Sequence, residues 1–207
     1  MNVFSHKPPR RRTARKQQTR DALITAARAR FAAHGFEGTT IRDVAAQAGV
    51  AVGTVFVHFP DKTALLAATL DDQIATALAA AFATLPNASA RVRVRHLIEA
   101  LMRIYARTPA LARVLLREAL FLGGDGGRRL DARLDAFVAA LSTLLSAPGA
   151  LRRGLQPDDA AYAIFAAYVI CLVDGLRARR FDVARQVAEC DRLIAPWFPV
   201  AAQGLDA

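Results

Sequence analysis

Apolar residues recur every three or four positions along most of this chain, and no stretch shows the strict alternation of a half-buried strand. Leu23, Ala27 and Phe31 fall four apart with Ile24 beside them, which predicts a first helix over Thr19–His34 that Gly35 ends. Ile41, Val44, Ala45 and Ala48 make one face of a short second helix. Thr40 is its N-cap, Asp43 returns a bond to the open backbone N–H groups, and Gly49 supplies the left-handed turn that closes it. A third helix fits Val52 to Phe59, because Pro60 opposes helical geometry in the residue before it. Val52, Val55, Phe56 and Phe59 form its apolar arc, and Thr54 and His58 share the opposite polar side. Val52 and Phe56 stand at the edge of that arc, so periodicity leaves open whether they are core or surface.

Asp61 and Lys62 open a fourth helix to about Leu85, carrying Leu65, Leu66, Leu70, Ile74, Leu78 and Phe82. It is long enough to leave a small three-helix unit and enter a second one. The core expected of the small unit includes Phe31, Phe36, Ile41, Val44, Val50, Val55 and Phe59. Beyond the break at Pro86-Asn87-Ala88-Ser89, helices are predicted over Arg91–Arg107, Ala110–Leu122, Arg128–Ser146, Pro157–Arg180 and Asp182–Ala195. Breaks are expected at Pro109, Gly123–Gly127, Pro148-Gly149 and near Phe181. The expected fold is all-α: an N-terminal three-helix unit with a helix-turn-helix, joined by the fourth helix to a larger C-terminal bundle.

With 207 residues, the chain can bury a substantial core. Its 28 Lys and Arg against 18 Asp and Glu give a formal net charge of +10, which favours a polyanionic partner, with an anionic membrane surface or simple solubility as alternatives. Residues 1–20 hold seven basic residues and no acid, so the excess charge lies beside the helix-turn-helix. Residues 1–18, with Pro8-Pro9 and few apolar side chains, are expected to be a disordered arm. Such an arm either reaches phosphates or a neighbouring minor groove, or remains a solvated tail. Cys171 and Cys190 lie in apolar helical patterns without CxxC or His spacing, as buried thiols would. No apolar segment follows the basic N-terminus as in a signal peptide, and the location expected is cytoplasmic. The longest uncharged segment, Ala160 to Val173, is shorter than the ~20 residues of a membrane span and fits a helix buried on all sides.

The stretch TTIRDVAAQAGVAVGTVFVHFPDKTALL, starting at Thr39, closely resembles the DNA-binding signature of the TetR family of bacterial transcriptional regulators. It has the Thr-capped helix, AGV at the turn, GT, an aromatic, HF, and a Lys before a Leu pair. Two positions depart from the family: Ala51 stands where a polar cap is usual, and Phe56 where Tyr is usual, which removes a hydroxyl contact to phosphate. The resemblance is strong over about residues 19–66 and implies a DNA-binding domain there, with a ligand-binding and dimerisation domain over 67–207. It implies that Thr40, Thr54, His58 and Lys62 hold phosphates while Arg42, Val52, Gly53 and Phe56 face base edges. Arg42 is the candidate for a bidentate guanine contact. It further implies a homodimer joined through the last two long helices, with recognition helices entering successive major grooves ~34 Å apart on double-stranded DNA, hence an inverted-repeat operator.

A small-molecule effector pocket is also implied. Met102, Tyr105, Phe121, Phe137, Tyr162, Phe165 and Tyr168 are candidates to line it, with Asp174, Glu118 or Arg103 as its fixing polar group, although each position also suits a plain core residue. No cofactor is expected, and catalysis has no support in the motifs. GGDGG lacks the Lys-Ser/Thr of a phosphate loop and reads as a flexible connection. His6, His34, His58 and His96 have no metal-ligand spacing, and Ser142 and Ser146 lie within a helix without a nucleophile elbow. Two functions stay open: a ligand-responsive repressor on a palindromic operator, or a non-specific DNA-binding or adaptor protein without an effector.

Overall fold

The computed structural model describes residues 10–119 and 124–199, all helical or connecting. The helices are α1 (Arg10–His34), α2 (Ile41–Gln47), α3 (Val52–His58), α4 (Lys62–Ala83), α5 (Ala90–Arg107), α6 (Pro109–Ala119), α7 (Gly124–Leu145), α8 (Pro157–Arg177) and α9 (Val183–Ile194). A 3-10 turn, Ala195–Trp197, follows. The chain divides into two compact units between Asp71 and Asp72, within α4.

In the first unit, α1 packs on α2 and α2 on α3. Leu23, Ala27, Phe31, Val44, Ala45, Val55, Phe59, Leu65 and Leu66 are buried, and the ring of half-buried Phe36 stacks on Phe31 with centroids 5.8 Å apart. Gly35 ends α1 at a φ of 69°. The helix begins at Arg10 rather than Thr19, so residues 10–18 of the expected arm are helical; residues 1–9 lie outside the described region. The reason is composition: Arg, Ala, Lys and Gln are all good helix formers, and nothing between Arg10 and Thr19 interrupts them.

The second unit is built on α5, α7, α8 and α9. Val94, Leu97, Ile98, Leu101 and Met102 of α5 share one core with Leu141 of α7, Ile164 and Leu172 of α8, and Cys190 and Ile194 of α9. Gly175 lets α9 approach α8 closely, since a Cβ there would stand 2.8 Å from both Gln186 Cγ and Phe181 Cε2. Arg91 grips Asp191 with two hydrogen bonds, Nε to Oδ1 at 2.9 Å and Nη2 to Oδ2 at 2.7 Å, tying the start of α5 to α9. Arg113 Nε donates to Leu176 O at 2.6 Å, and α8 stops at Arg177 rather than Arg180.

Two expectations need correction. Gly124 to Gly127 belong to the first turn of α7 and not to a loop, because the open N-terminal turn of a helix tolerates glycine better than its interior. Helix α8 is not buried on all sides: Tyr162 and Ile170 are 69% and 65% exposed. Both α4 and α8 are long and apolar enough, by length and composition, to cross a membrane, yet α8 supplies eight buried residues to its unit, as the core helix of a globular protein does. Cys171 and Cys190 are buried free thiols, and burial pushes the Cys190 thiol up to about 12.

Candidate nucleic-acid interface

Helix α2 is closed at both ends by its own sequence. Thr40 Oγ1 accepts from Asp43 N at 3.1 Å, and Asp43 Oδ2 accepts from Thr40 N at 3.1 Å and from the Thr40 hydroxyl at 2.7 Å. These bonds to Thr40 hold the Asp43 carboxyl below its ordinary range, and Arg30 at 3.6 Å adds to the effect. At the other end Val50 N donates to Ala45 O at 3.0 Å and Gly49 N to Ala46 O at 3.2 Å, with Gly49 at a φ of 67°. This paired pattern is the Schellman arrangement, which needs the left-handed residue that glycine supplies.

Helix α3 then starts without help. Ala51 is its N-cap in extended conformation and makes no side-chain cap bond. Val55 and Phe59 point inward at 0% and 3% exposure, whereas Val52, Phe56 and Val57 are 38%, 53% and 71% exposed. The open question about Val52 and Phe56 is thereby decided in favour of the surface. Gly53 is exposed too, and a Cβ on it would meet nothing within 4 Å.

Seven of the eight residues assigned to DNA fall into two groups, and His58 stands apart. Arg42 is exposed and Thr54 half-buried, and neither side chain has a hydrogen bond or ion pair among the described residues; with Val52, Gly53 and Phe56 they form an uncommitted outward surface. Thr40 and Lys62 are engaged within the protein. Lys62 Nζ donates to Phe36 O at 2.8 Å and Thr39 O at 3.1 Å, and stands 4.2 Å from the centre of the Phe36 ring. Two of its three N–H groups hold the α1–α2 connection, so Lys62 is first a structural cation. His58 is half-buried; desolvation, then the charges of Lys16 and Arg20, hold its imidazole below the ordinary value of 6.5.

Sequence reasoning missed three contributors. Thr39 is fully buried and its hydroxyl donates to Gly35 O at 2.8 Å, a role that the Thr-Thr pair conceals. Arg20 lies over Phe59, 5.2 Å from the ring centre, and Lys16 is exposed one turn before it. Their i, i+4 spacing was the available signal, hidden by the assignment of residues 1–18 to an arm.

The residues expected to line a pocket are mostly core. Met102, Phe137 and Tyr168 are buried, and Tyr105 and Phe165 pack against the same cluster. Phe165 sits between Phe137 and Tyr168, at 6.3 and 6.1 Å between centroids. Tyr162 faces outward because it lies on the side of α8 opposite Ile164 and Tyr168, and Phe121 lies outside the described residues. Asp174 and Arg103 are exposed, the latter bound to Glu99 at 2.5 Å, so neither can serve as a buried fixing group; the side chain of Glu118 is not described. Within this aromatic cluster the Tyr168 hydroxyl is buried beside the Tyr105 phenol; burial pushes the Tyr168 phenol well up, and Tyr105 adds to the shift. A separate open cleft of about 560 Å³ is lined by Arg95, Glu99, Arg103, Arg180, Phe181 and neighbours on α9; of the expected pocket residues it holds Arg103, the candidate polar group, and none of the aromatic or Met candidates.

Residues 23–69 match the family model for bacterial regulatory proteins of the tetR family. The chain is 28% identical over 176 residues to the HTH-type transcriptional regulator TtgR of Pseudomonas putida, covering 82% of this chain and 83% of that protein. It is 24% identical over 200 residues to the nucleoid occlusion factor SlmA of Escherichia coli, covering 93% and 98%. Thermus thermophilus FadR, a TetR-family transcriptional repressor solved in complex with lauroyl-CoA, has the same fold: TM-score 0.69 at 22% identity, over 91% of this chain and 100% of that one.

Proposed function

We propose that this chain is a TetR-family DNA-binding transcriptional regulator rather than an enzyme, and that it acts as a homodimeric repressor on an inverted-repeat operator in the cytoplasm. The observation that carries the reading is the outward side of α3. Val52, Gly53, Thr54 and Phe56 are presented on a helix whose partner α2 is capped at both ends, and the uncommitted Arg42 stands beside the N-terminus of α2. Arg42 reads guanine, Phe56 meets a thymine methyl, and Thr54 and His58 hold phosphates. Thr40 and Lys62 contribute mainly by fixing the α1–α2 corner.

Dimerisation uses α8 and α9. Tyr162, Ala166 and Ile170 make an exposed apolar stripe at i, i+4 and i+8, and Leu193 adds a further exposed apolar residue on the adjacent α9. The effector enters the core around Met102, Tyr105, Phe137, Phe165 and Tyr168. Its body is apolar, and one polar atom of it meets the buried Tyr168 phenol and the Tyr105 phenol beside it. Fatty acyl thioesters, the class bound by the FadR structure, are the first ligands to test. Helix α4 supplies Leu65 and Leu66 to the first unit and Ile74, Leu78 and Phe82 to the second, and it carries the signal between them.

The test is a DNA titration against the region upstream of its own gene, at two salt concentrations, with random duplex as competitor. Retention of the specific duplex with two-fold symmetric protection supports the repressor. The likeness to a nucleoid occlusion factor favours a second reading, a DNA-binding protein without an effector. Symmetric protection that no acyl thioester relieves would support it, and loss of all binding to random competitor would remove the specific operator.

A further inference from the structure

Six of the seven cations of residues 1–20 lie on a helix, because α1 begins at Arg10. A helix fixes which of them face together. Arg20 lies over Phe59, immediately after α3, and Lys16 precedes it by four residues, about 6 Å back along the same side. Lys16 is exposed and makes no ion pair or hydrogen bond among the described residues; Asp21, five residues on, lies about 140° around the helix from it and accepts from Gln17 Nε2 at 2.7 Å. Arg15, by contrast, lies about 140° around the helix from Arg20.

The proximity of this side of α1 to α3 has an independent sign. Lys16 and Arg20 are close enough to His58 for their charges to disfavour its protonation. The positive ridge on α1 and the polar side of α3 are therefore neighbouring parts of one surface within the first unit.

We propose that the Lys16–Arg20 side of α1 is a second DNA contact that holds the sugar–phosphate backbone flanking the stretch of major groove entered by α3. This rests on the DNA-binding reading above and deepens it, since it assigns affinity without sequence choice to α1 and leaves base readout to α2 and α3. From Lys16 to Arg20 the helix rises about 6 Å, room for roughly one or two phosphates along one strand. Rigid cations lose less conformational entropy on binding than a free arm would.

Lys16→Gln and Arg15→Gln separate contact from bulk charge. Each removes one positive charge from the same helix, and neither side chain supports the core. Arg20 is left alone because it stacks on Phe59. Affinities of the full chain for the duplex upstream of its gene and for a random 30-bp duplex are measured across about 50 to 200 mM salt. Lys16→Gln should lower the salt slope by about 0.9, so that wild type loses about threefold more affinity than the variant over that range on both duplexes. Hydroxyl-radical protection at the outer phosphates of each half-site should weaken in parallel. Arg15→Gln should retain the wild-type slope and protection. Equal slopes in the two variants, or no change in either, would overturn the proposal while leaving DNA binding intact. Absence of DNA binding by wild type would overturn the DNA-binding reading itself and this proposal with it.

Discussion

Gly53 is the position where the structure separates what the fold needs from what a partner needs. Gly38 has an internal reason to be glycine, since a Cβ there would fall 2.4 Å from His34 O. Gly53 has none: its added Cβ meets nothing within 4 Å, and it lies inside the first turn of α3 at an exposed site. Glycine in a helix costs roughly 0.5–1 kcal/mol relative to alanine, so Gly53→Ala should stabilise the protein by up to about that amount. For a chain of this size the midpoint of thermal unfolding should rise by about 1–4 °C. If the glycine is there so that the backbone of α3 can come close to DNA, the new methyl intrudes on that contact. Loss of about 1.4 kcal/mol of binding is a tenfold weaker Kd. Thermal unfolding and operator titration on the same preparation give both numbers. A variant that is more stable and binds as tightly as wild type would refute the close-approach argument, and a less stable variant would refute the local reading of α3.

Three further outcomes follow from the same geometry. Lys62→Met keeps the aliphatic stem but removes the donor to Phe36 O and Thr39 O, so it should cost about 1–3 kcal/mol in denaturant unfolding; unchanged stability would return Lys62 to a purely DNA-facing role. Because His58 in the folded chain sits below its ordinary 6.5, the unfolded chain takes up the proton first; its contribution to stability is complete above about pH 6.5 and is lost as pH falls through the folded value. A phosphate beside the imidazole favours the charged form, so operator affinity should strengthen from about pH 8 to 6, and His58→Gln should flatten both profiles. Ile170→Glu places a charge on the exposed apolar stripe of α8 and should yield a folded monomer by sedimentation that no longer protects both half-sites.

Elements with a strong period were legible in the sequence. The capping of α2 by Thr40 and Asp43, its end at Gly49, the buried line Leu23–Ala27–Phe31 and the order of the later helices all follow from local rules that act within one or two turns. Misreadings came where net charge outweighed local helix propensity, and where a neighbour in space decides. The start of α1 was placed at Thr19 because positive charge and prolines suggest disorder, while the residues after Pro9 are individually good helix formers. Tyr162 looked like its aromatic companions, yet the rotation of α8 puts Tyr168 in the core and Tyr162 outside, and only the helices packed against α8 fix that rotation.

The same distinction explains Lys62 against Val52 and Phe56. By residue type the lysine should be on the surface and the two apolar residues inside; the structure reverses the expectation, with Lys62 tied to two carbonyls and Phe56 53% exposed. Helix α3 gathers several locally unfavourable choices within eight residues: an uncapped N-terminus at Ala51, a glycine in its first turn, and exposed Val52, Phe56 and Val57. None of these stabilises the isolated unit. They are tolerated because α2 is closed at both ends, Val55 and Phe59 anchor α3 beneath, and Lys62 braces the α1–α2 corner. A segment where local rules are broken while its supports are over-provided is what a surface shaped for a partner requires. Repairing α3 with an Ala51→Ser cap should therefore raise stability by about 1 kcal/mol, and it should leave operator affinity intact if position 51 lies outside the contact.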